Sequence, residues 1–253
     1  MNFINPPTST PEYVTHKTFS SKLINTEIGY NIYLPHDYEE IGKRYPVTYH
    51  LHGWQCNEST DIWALEKVYK SKQVITVFAN AGPTNSGYRG DNELPVESII
   101  INELIPHIET KYRIDMDCGS RGISGFSMGG AGALYYAIKY PELFSSATAY
   151  AGVHDFDLDI GEAFNIYATS EQTTEMYENI FLKDPKYFDN GVFSLLKQNK
   201  EKICAKLQIK IHVGTSDILF CINEILHRYL NALNIPHEYK IFEGIDHELD
   251  KII

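Results

Sequence analysis

Six short apolar or β-branched runs punctuate this chain: Glu27–Pro35, Tyr45–Gly53, Gln73–Asn80, Gly119–Gly125, Ser145–Gly152 and Leu207–Gly214. Between them Val96–Tyr112, Gly130–Tyr140 and Leu219–Leu233 repeat apolar residues at helical spacing. A run such as QVITVFAN (Gln73–Asn80) carries no polar alternation, which marks a strand covered on both faces. Strands of that kind alternating with helices predict an α/β fold: a mainly parallel central sheet with helices on both sides. At 253 residues the chain can bury a sizeable core as one domain, 1–253, and no internal repeat or low-complexity block divides it. Val153–Ala205 breaks the rhythm, with aromatics, acids and helix-like pieces but no clear strand. It is expected to be an insertion over the carboxyl edge of the sheet, where ligands of open α/β sheets bind, and hence a lid.

Charge narrows the partners. A formal net charge of −11 opposes binding to phosphate backbones, so nucleic acid is not expected. No apolar run is long enough to cross a bilayer, so no membrane partner is expected either. The leader MNFINPPTSTPEY lacks a basic segment followed by an apolar one, and a cytoplasmic location is the expectation. Cys56, Cys118, Cys204 and Cys221 form no C-x-x-C pair and read as reduced, mostly buried thiols. A homodimer is compatible with all of this.

Within the predicted sheet one turn stands out. The strand-like RGIS runs into Gly125-Phe126-Ser127-Met128-Gly129, and a helical pattern follows at once. G-x-S-x-G between strand and helix is the nucleophile elbow, a turn so tight that the flanking residues need almost no side chain. It would expose Ser127 at the sheet edge, with its hydroxyl facing a helix N-terminus whose free N–H groups favour negative charge. A serine hydroxyl attacks poorly unless a histidine takes its proton and a carboxylate orients that histidine. Asp217 follows the run IKIHVG, and His247 lies in GIDH near the chain end, which gives the order serine, acid, histidine that this elbow uses. Asp217 could also cap the helix after it. Asp246 is the rival acid, disfavoured because it adjoins the histidine, and Asp184 and Asp189 are weaker candidates in the insertion.

An oxyanion needs two backbone donors, expected from Met128 and from Trp54 in the LHGW loop, with Gln55 next in line. His50 and His52 form an H-x-H, which elsewhere begins a metal site; without a companion motif no metal is expected, and His52 is read as a support of the loop. His107 and His227 read as surface or packing residues.

Several segments together resemble one family. YHLHGWQCNESTDIW, NSGYRGDN, ESIIINELIPHIETKY, GISGFSMGGAGALYYAIKYPELF, IHVGTSD and GIDH are similar, in this order, to the α/β-hydrolase esterases that include esterase D, feruloyl and acetylxylan esterases and mycolyltransferases. The resemblance covers Tyr45 to the chain end, except the segment from Val153. It implies an α/β-hydrolase fold, acyl-ester chemistry without a cofactor, and the triad Ser127, Asp217 and His247. It also implies that SGYRGDN lines the entrance with Tyr88 near the substrate. His52, Gly53, Tyr88 and Phe126 are expected around the substrate, and the aromatics Trp54, Trp63, Tyr88 and Phe126 suit feruloyl or acetyl esters of carbohydrates. S-formylglutathione hydrolysis, acyl transfer and a non-catalytic binding protein on the same fold are the alternatives.

Overall fold

The structure, a computed structural model, describes all residues except 1, 41, 83–87, 91–93, 117–118 and 155–190. Its strands are β1 (Val14–Ser21), β2 (Thr26–Tyr33), β3 (Val47–Leu51), β4 (Ile75–Ala79), β5 (Arg121–Phe126), β6 (Ser146–Tyr150), β7 (Gln208–Gly214) and β8 (His237–Phe242). They form one sheet in the order β1-β2-β4-β3-β5-β6-β7-β8. The pairs β1–β2 and β2–β4 are antiparallel, and every pairing from β4 to β8 is parallel. The parallel strands therefore present their carboxyl ends along a single edge.

Helices cover both faces. On one side lie α2 (Val96–Ile99), which passes through a π-helical turn (Ile100–Leu104) into α3 (Ile105–Lys111), then α4 (Met128–Lys139), α5 (Val192–Lys206) and α6 (Phe220–Ala232). On the other lie α1 (Glu66–Lys72) and the C-terminal Leu249 and Ile252. Strand periodicity assigns the residues: Val47, Tyr49 and Leu51 of β3 enter the larger core, whereas His50 between them pairs with Asp61 in the loop that leads to α1.

All six predicted runs contain a strand and all three predicted helical stretches contain helix. Three elements are additions: β1, α1 and β8, whose HEYKIF mixes charged and apolar residues. β1, VTHKTFSS, is an edge strand whose polar residues obscure the alternation, and α1 is only 7 residues long. Two expectations need correction. Of the described cysteines, Cys204 and Cys221 are exposed and Cys56 is half-buried, because the first two lie on the outer faces of surface helices. The expected lid over 153–205 also loses its end to the body of the fold: α5 buries Val192, Phe193, Leu195, Leu196 and Ile203 and packs on α4. Residues 155–190 of that segment, with Asp184 and Asp189, lie outside the described residues.

Candidate active site

Ser127 is the single residue between β5 and α4, with φ 56° and ψ −118°. For a residue with a side chain that conformation costs about 1–3 kcal/mol, so its surroundings must hold it. They do so through the backbone: Ser127 N–H donates to Tyr150 O (2.9 Å), and Ser127 O accepts from Ala131 N–H (3.1 Å) and Val153 N–H (3.3 Å). The glycines are required by close approach. A Cβ on Gly125 would collide with the Gly129 backbone, and one on Gly129 with the carbonyls of Leu51 and His52. Without side chains there, the start of α4 presses against the end of β3, and the Ser127 site lies beside the loop that leaves that strand.

Asp217 lies in the turn after β7 and is buried. Its Oδ1 accepts from Leu219 N–H (2.8 Å) and its Oδ2 from His247 Nδ1 (2.8 Å). The cap residue of α6 is Leu219, so Asp217 braces the turn ahead of the helix instead of capping it. The rival acid is spent locally, since Asp246 Oδ1 accepts from the backbone N–H of His247 (2.8 Å). The imidazole of His247 stacks on Phe126, with centroids 4.5 Å apart and planes 28° apart. Phe126 immediately precedes Ser127, which brings the histidine ring to the elbow. The two loops are laced together: Thr215 N–H donates to Phe242 O, Ser216 N–H to Ile245 O and Gly244 N–H to Thr215 Oγ1.

The loop after β3 completes the setting. A Cβ built on Gly53 would lie 3.6 Å from Ser127 Cβ, so this backbone adjoins the serine. Ala81 N–H donates to His52 Nε2 (3.1 Å), which leaves the ring proton on Nδ1 to be donated to Gly53 O (2.8 Å). Gly53 O also accepts from Cys56 N–H (3.3 Å), closing a turn in which Gln55 has φ 56°. In a trans peptide the N–H points opposite to the C=O, so the Trp54 N–H is directed away from His52 and the turn. Burial pushes the His52 pKa down, which keeps the ring in this neutral, singly protonated form.

Of the residues expected around the substrate, Tyr88 and His52 are buried, His52 in the loop-supporting role also expected of it. Tyr88 is fully buried, and its hydroxyl donates to His52 O (2.9 Å); His52 is buried beside it. Both support the loop from behind, because the apolar side of α4 leaves the Tyr88 ring no route to the surface: a Cβ on Gly132 would meet that ring at 2.8 Å. Phe126 remains half-buried next to His247, Trp54 is half-buried and Trp63 is 52% exposed.

Sequence reasoning passed over two acids in this loop. Glu58 is buried; it accepts from Asn5 N–H (2.6 Å), Asn5 Nδ2 (3.1 Å) and Asn80 Nδ2 (2.6 Å), and contacts His16 Nε2 (3.1 Å). Asp61 is buried against His50. Nothing in the local sequence distinguishes them from solvated loop acids. His50 and His52 thus serve different partners, and among the described residues no group of three or more His, Cys, Asp or Glu side chains could hold a metal ion. Nor is any described helix long and apolar enough to cross a membrane.

A mostly parallel eight-stranded sheet with a serine elbow after its fifth strand, an acid after the seventh and a histidine after the eighth defines an α/β-hydrolase fold. The chain belongs to the family described as "Putative esterase", whose model matches residues 21–250. An esterase of Mycobacterium tuberculosis is 32% identical over 155 residues, covering 56% of this chain and 33% of its own length. An endo-1,4-beta-xylanase/feruloyl esterase of Xylanibacter ruminicola is 32% identical over 133 residues, covering 45% of this chain and 18% of its own. The chain thus spans a third or less of the length of these relatives. The solved structure of a ferulic acid esterase superposes with a TM-score of 0.76 at 23% identity, over 94% of this chain and 92% of that one.

Proposed function

We propose that the chain is a serine carboxylic-ester hydrolase working through an acyl-enzyme. The observation that carries the reading is the His247 imidazole, held by the buried Asp217 carboxylate at 2.8 Å while stacked on the residue that precedes Ser127. In this mechanism Ser127 Oγ attacks the ester carbonyl carbon as its proton passes to His247 Nε2. Asp217 accepts from Nδ1–H, fixing the tautomer and stabilising the imidazolium that forms. The carbonyl oxygen becomes an oxyanion facing the N–H groups of Met128 and Trp54. His247 then hands the proton to the leaving oxygen as the ester C–O bond breaks. Water adds to the acyl carbon, giving a proton to His247, which returns it to Ser127 Oγ as the acyl C–O bond breaks and the acid leaves. These steps use side chains, backbone and water alone.

For substrate, we favour feruloyl or acetyl esters of carbohydrates. Phe126, half-buried next to Ser127, and Trp54, half-buried in the loop after β3, offer apolar surface to a planar acyl group, and a feruloyl esterase stands among the relatives. The test is acid release from short p-nitrophenyl esters, methyl ferulate and S-formylglutathione, with wild type beside Ser127→Ala. Ser127→Ala is expected to lose turnover by about 10⁴-fold or more. Preference for S-formylglutathione would replace the carbohydrate reading, and transfer to an added acceptor sugar would turn it into acyl transfer. An inactive wild type across the panel, or a variant that keeps the wild-type rate, would favour a binding role instead.

A further inference from the structure

The described residues hold a second Ser-His-Asp chain, away from Ser127. Asp61 Oδ2 lies 3.0 Å from His50 Nε2, and His50 Nδ1 lies 3.0 Å from Ser124 Oγ; all three residues are buried. A neutral imidazole carries one proton, so with Nε2–H donating to the Asp61 carboxylate, Nδ1 accepts from the Ser124 hydroxyl. The chain joins three parts of the site. Asp61 ends the loop that carries Gly53 and Trp54, His50 belongs to β3 directly before that loop, and Ser124 belongs to β5, three residues before Ser127. His50 and Ser124 are register partners across the β3–β5 pairing.

We infer that Asp61 is a positioning residue: through His50 and Ser124 it fastens the far end of the oxyanion loop to the strand that carries Ser127. The inference rests on the ester-hydrolase reading. The near end of the loop is fixed by His52 and Tyr88, through Gly53 O and His52 O. Its far end leads into α1 through Leu65 N–H to Asp61 O (3.1 Å) and Tyr69 hydroxyl to Ile62 O (2.9 Å). Without the Asp61 carboxylate that end would keep its ties to α1 and, through Glu58 and Ser59, to Asn5, Asn31 and Asn80, but none of these hydrogen bonds reaches the elbow strand β5. The side-chain link from the loop through His50 to the strand that carries Ser127 would then be lost, and the Trp54 N–H would be less tightly set against the Ser127 site. Preorganised donors lose their effect with small displacements, so the consequence falls on the transition state and not on ground-state binding. A buried polar chain of this kind favours one arrangement because every alternative leaves a desolvated group without a partner.

The experiment measures kcat per titrated active site, KM and the affinity of a boronic acid that forms a tetrahedral adduct on Ser127, for Asp61→Ala, Ser124→Ala and Asp61→Asn. Asp61→Ala is expected to lower kcat about 10- to 100-fold, with KM within about twofold, and to weaken the boronate in proportion. Ser124→Ala should show a smaller loss of the same kind. Asp61→Asn, which still accepts from His50 Nε2–H, should recover most of the loss. A purely structural role would lower melting temperature and the fraction of titratable sites while leaving kcat per site and boronate affinity unchanged; that result overturns the inference. Should Asp61→Ala fail to fold, Ser124→Ala decides by the same criteria. Failure of the underlying reading would look different: wild type would be inactive on the ester panel, or Ser127→Ala would keep its rate.

Discussion

Two loops flank Ser127, and they are held in opposite ways. The loop from His52 to Asp61 is anchored by buried side chains: His52 on Ala81 and Gly53, Glu58 on Asn5 and Asn80, Asp61 on His50. The loop from Glu243 to Glu248 is largely exposed and is held by backbone contacts to the Asp217 turn and by two side-chain contacts, Gly244 N–H to Thr215 Oγ1 and His247 to Asp217. The difference follows from what each would present. A backbone N–H can be aimed only by fixing the peptide itself, which calls for many anchors. A ring that exchanges protons needs one oriented nitrogen and freedom at the other, so a single carboxylate and the face of Phe126 suffice.

This contrast can be broken at its weakest point first. Replacing Asp217 by Ala is expected to lower kcat about 10⁴-fold, because the ring loses its carboxylate partner, whereas Asp246→Ala should stay within about threefold. Steady-state rates on a p-nitrophenyl ester check both; a larger loss in Asp246→Ala would reverse the assignment of the acid.

On the other loop the response should appear as stability. Glu58→Ala strands the amides of Asn5 and Asn80, an expected loss of about 2–4 kcal/mol, or roughly 5–15 °C in melting temperature. Deleting residues 1–6 should lower melting in the same direction, since it removes two of the donors to Glu58. Thermal melts of the two variants measure this, and unchanged melting in both would show that Glu58 is not an anchor.

Acid should also act on the buried side of the site. His154, beside Gly152 at the end of β6, is fully buried, and burial pushes its pKa down to about 3. In the unfolded chain a histidine titrates near pH 6.5, so below that pH the unfolded state takes up a proton that the folded state refuses. Folding stability contributed by this depressed pKa is present above about pH 6.5 and falls away as the pH drops toward 3. Between pH 7 and pH 5 wild type should lose about 2 kcal/mol more than His154→Leu, read from urea unfolding at each pH. Parallel losses in the two proteins would remove His154 as the cause.

The smallest effect tests the ring stack. Phe126→Leu removes an aromatic contact worth about 0.5–1.5 kcal/mol, so kcat/KM should fall about threefold with melting nearly unchanged. A fall to the level of Asp217→Ala would show that Phe126, and not the carboxylate, orients the histidine.

Much of this site was legible in the chain because its signals are local. A serine between glycines at a strand-to-helix junction, an acid directly after a β-branched run and a histidine after the last strand are patterns of neighbours. The preference for Asp217 over Asp246 was equally accessible, since a carboxylate adjacent in sequence reaches its own backbone more easily than the far nitrogen of the next ring, as Asp246 does. β1 escaped because an edge strand has only one face to bury, and its Thr, His, Lys and Ser residues hide the period.

By itself, then, the sequence determined the layered α/β order, the elbow at Ser127 and the succession of serine, acid and histidine, since each depends on periodicity and on residues a few positions apart. Only the tertiary structure decided that Tyr88 stands behind the loop after β3, that Glu58 and Asp61 are buried and that His50 joins Asp61 to Ser124. Those outcomes depend on which distant segment covers a residue: Asn5 meets Glu58 across 53 positions of chain and Ser124 meets His50 across 74. A polar side chain becomes an anchor only when such a partner replaces water, and no local pattern records that exchange.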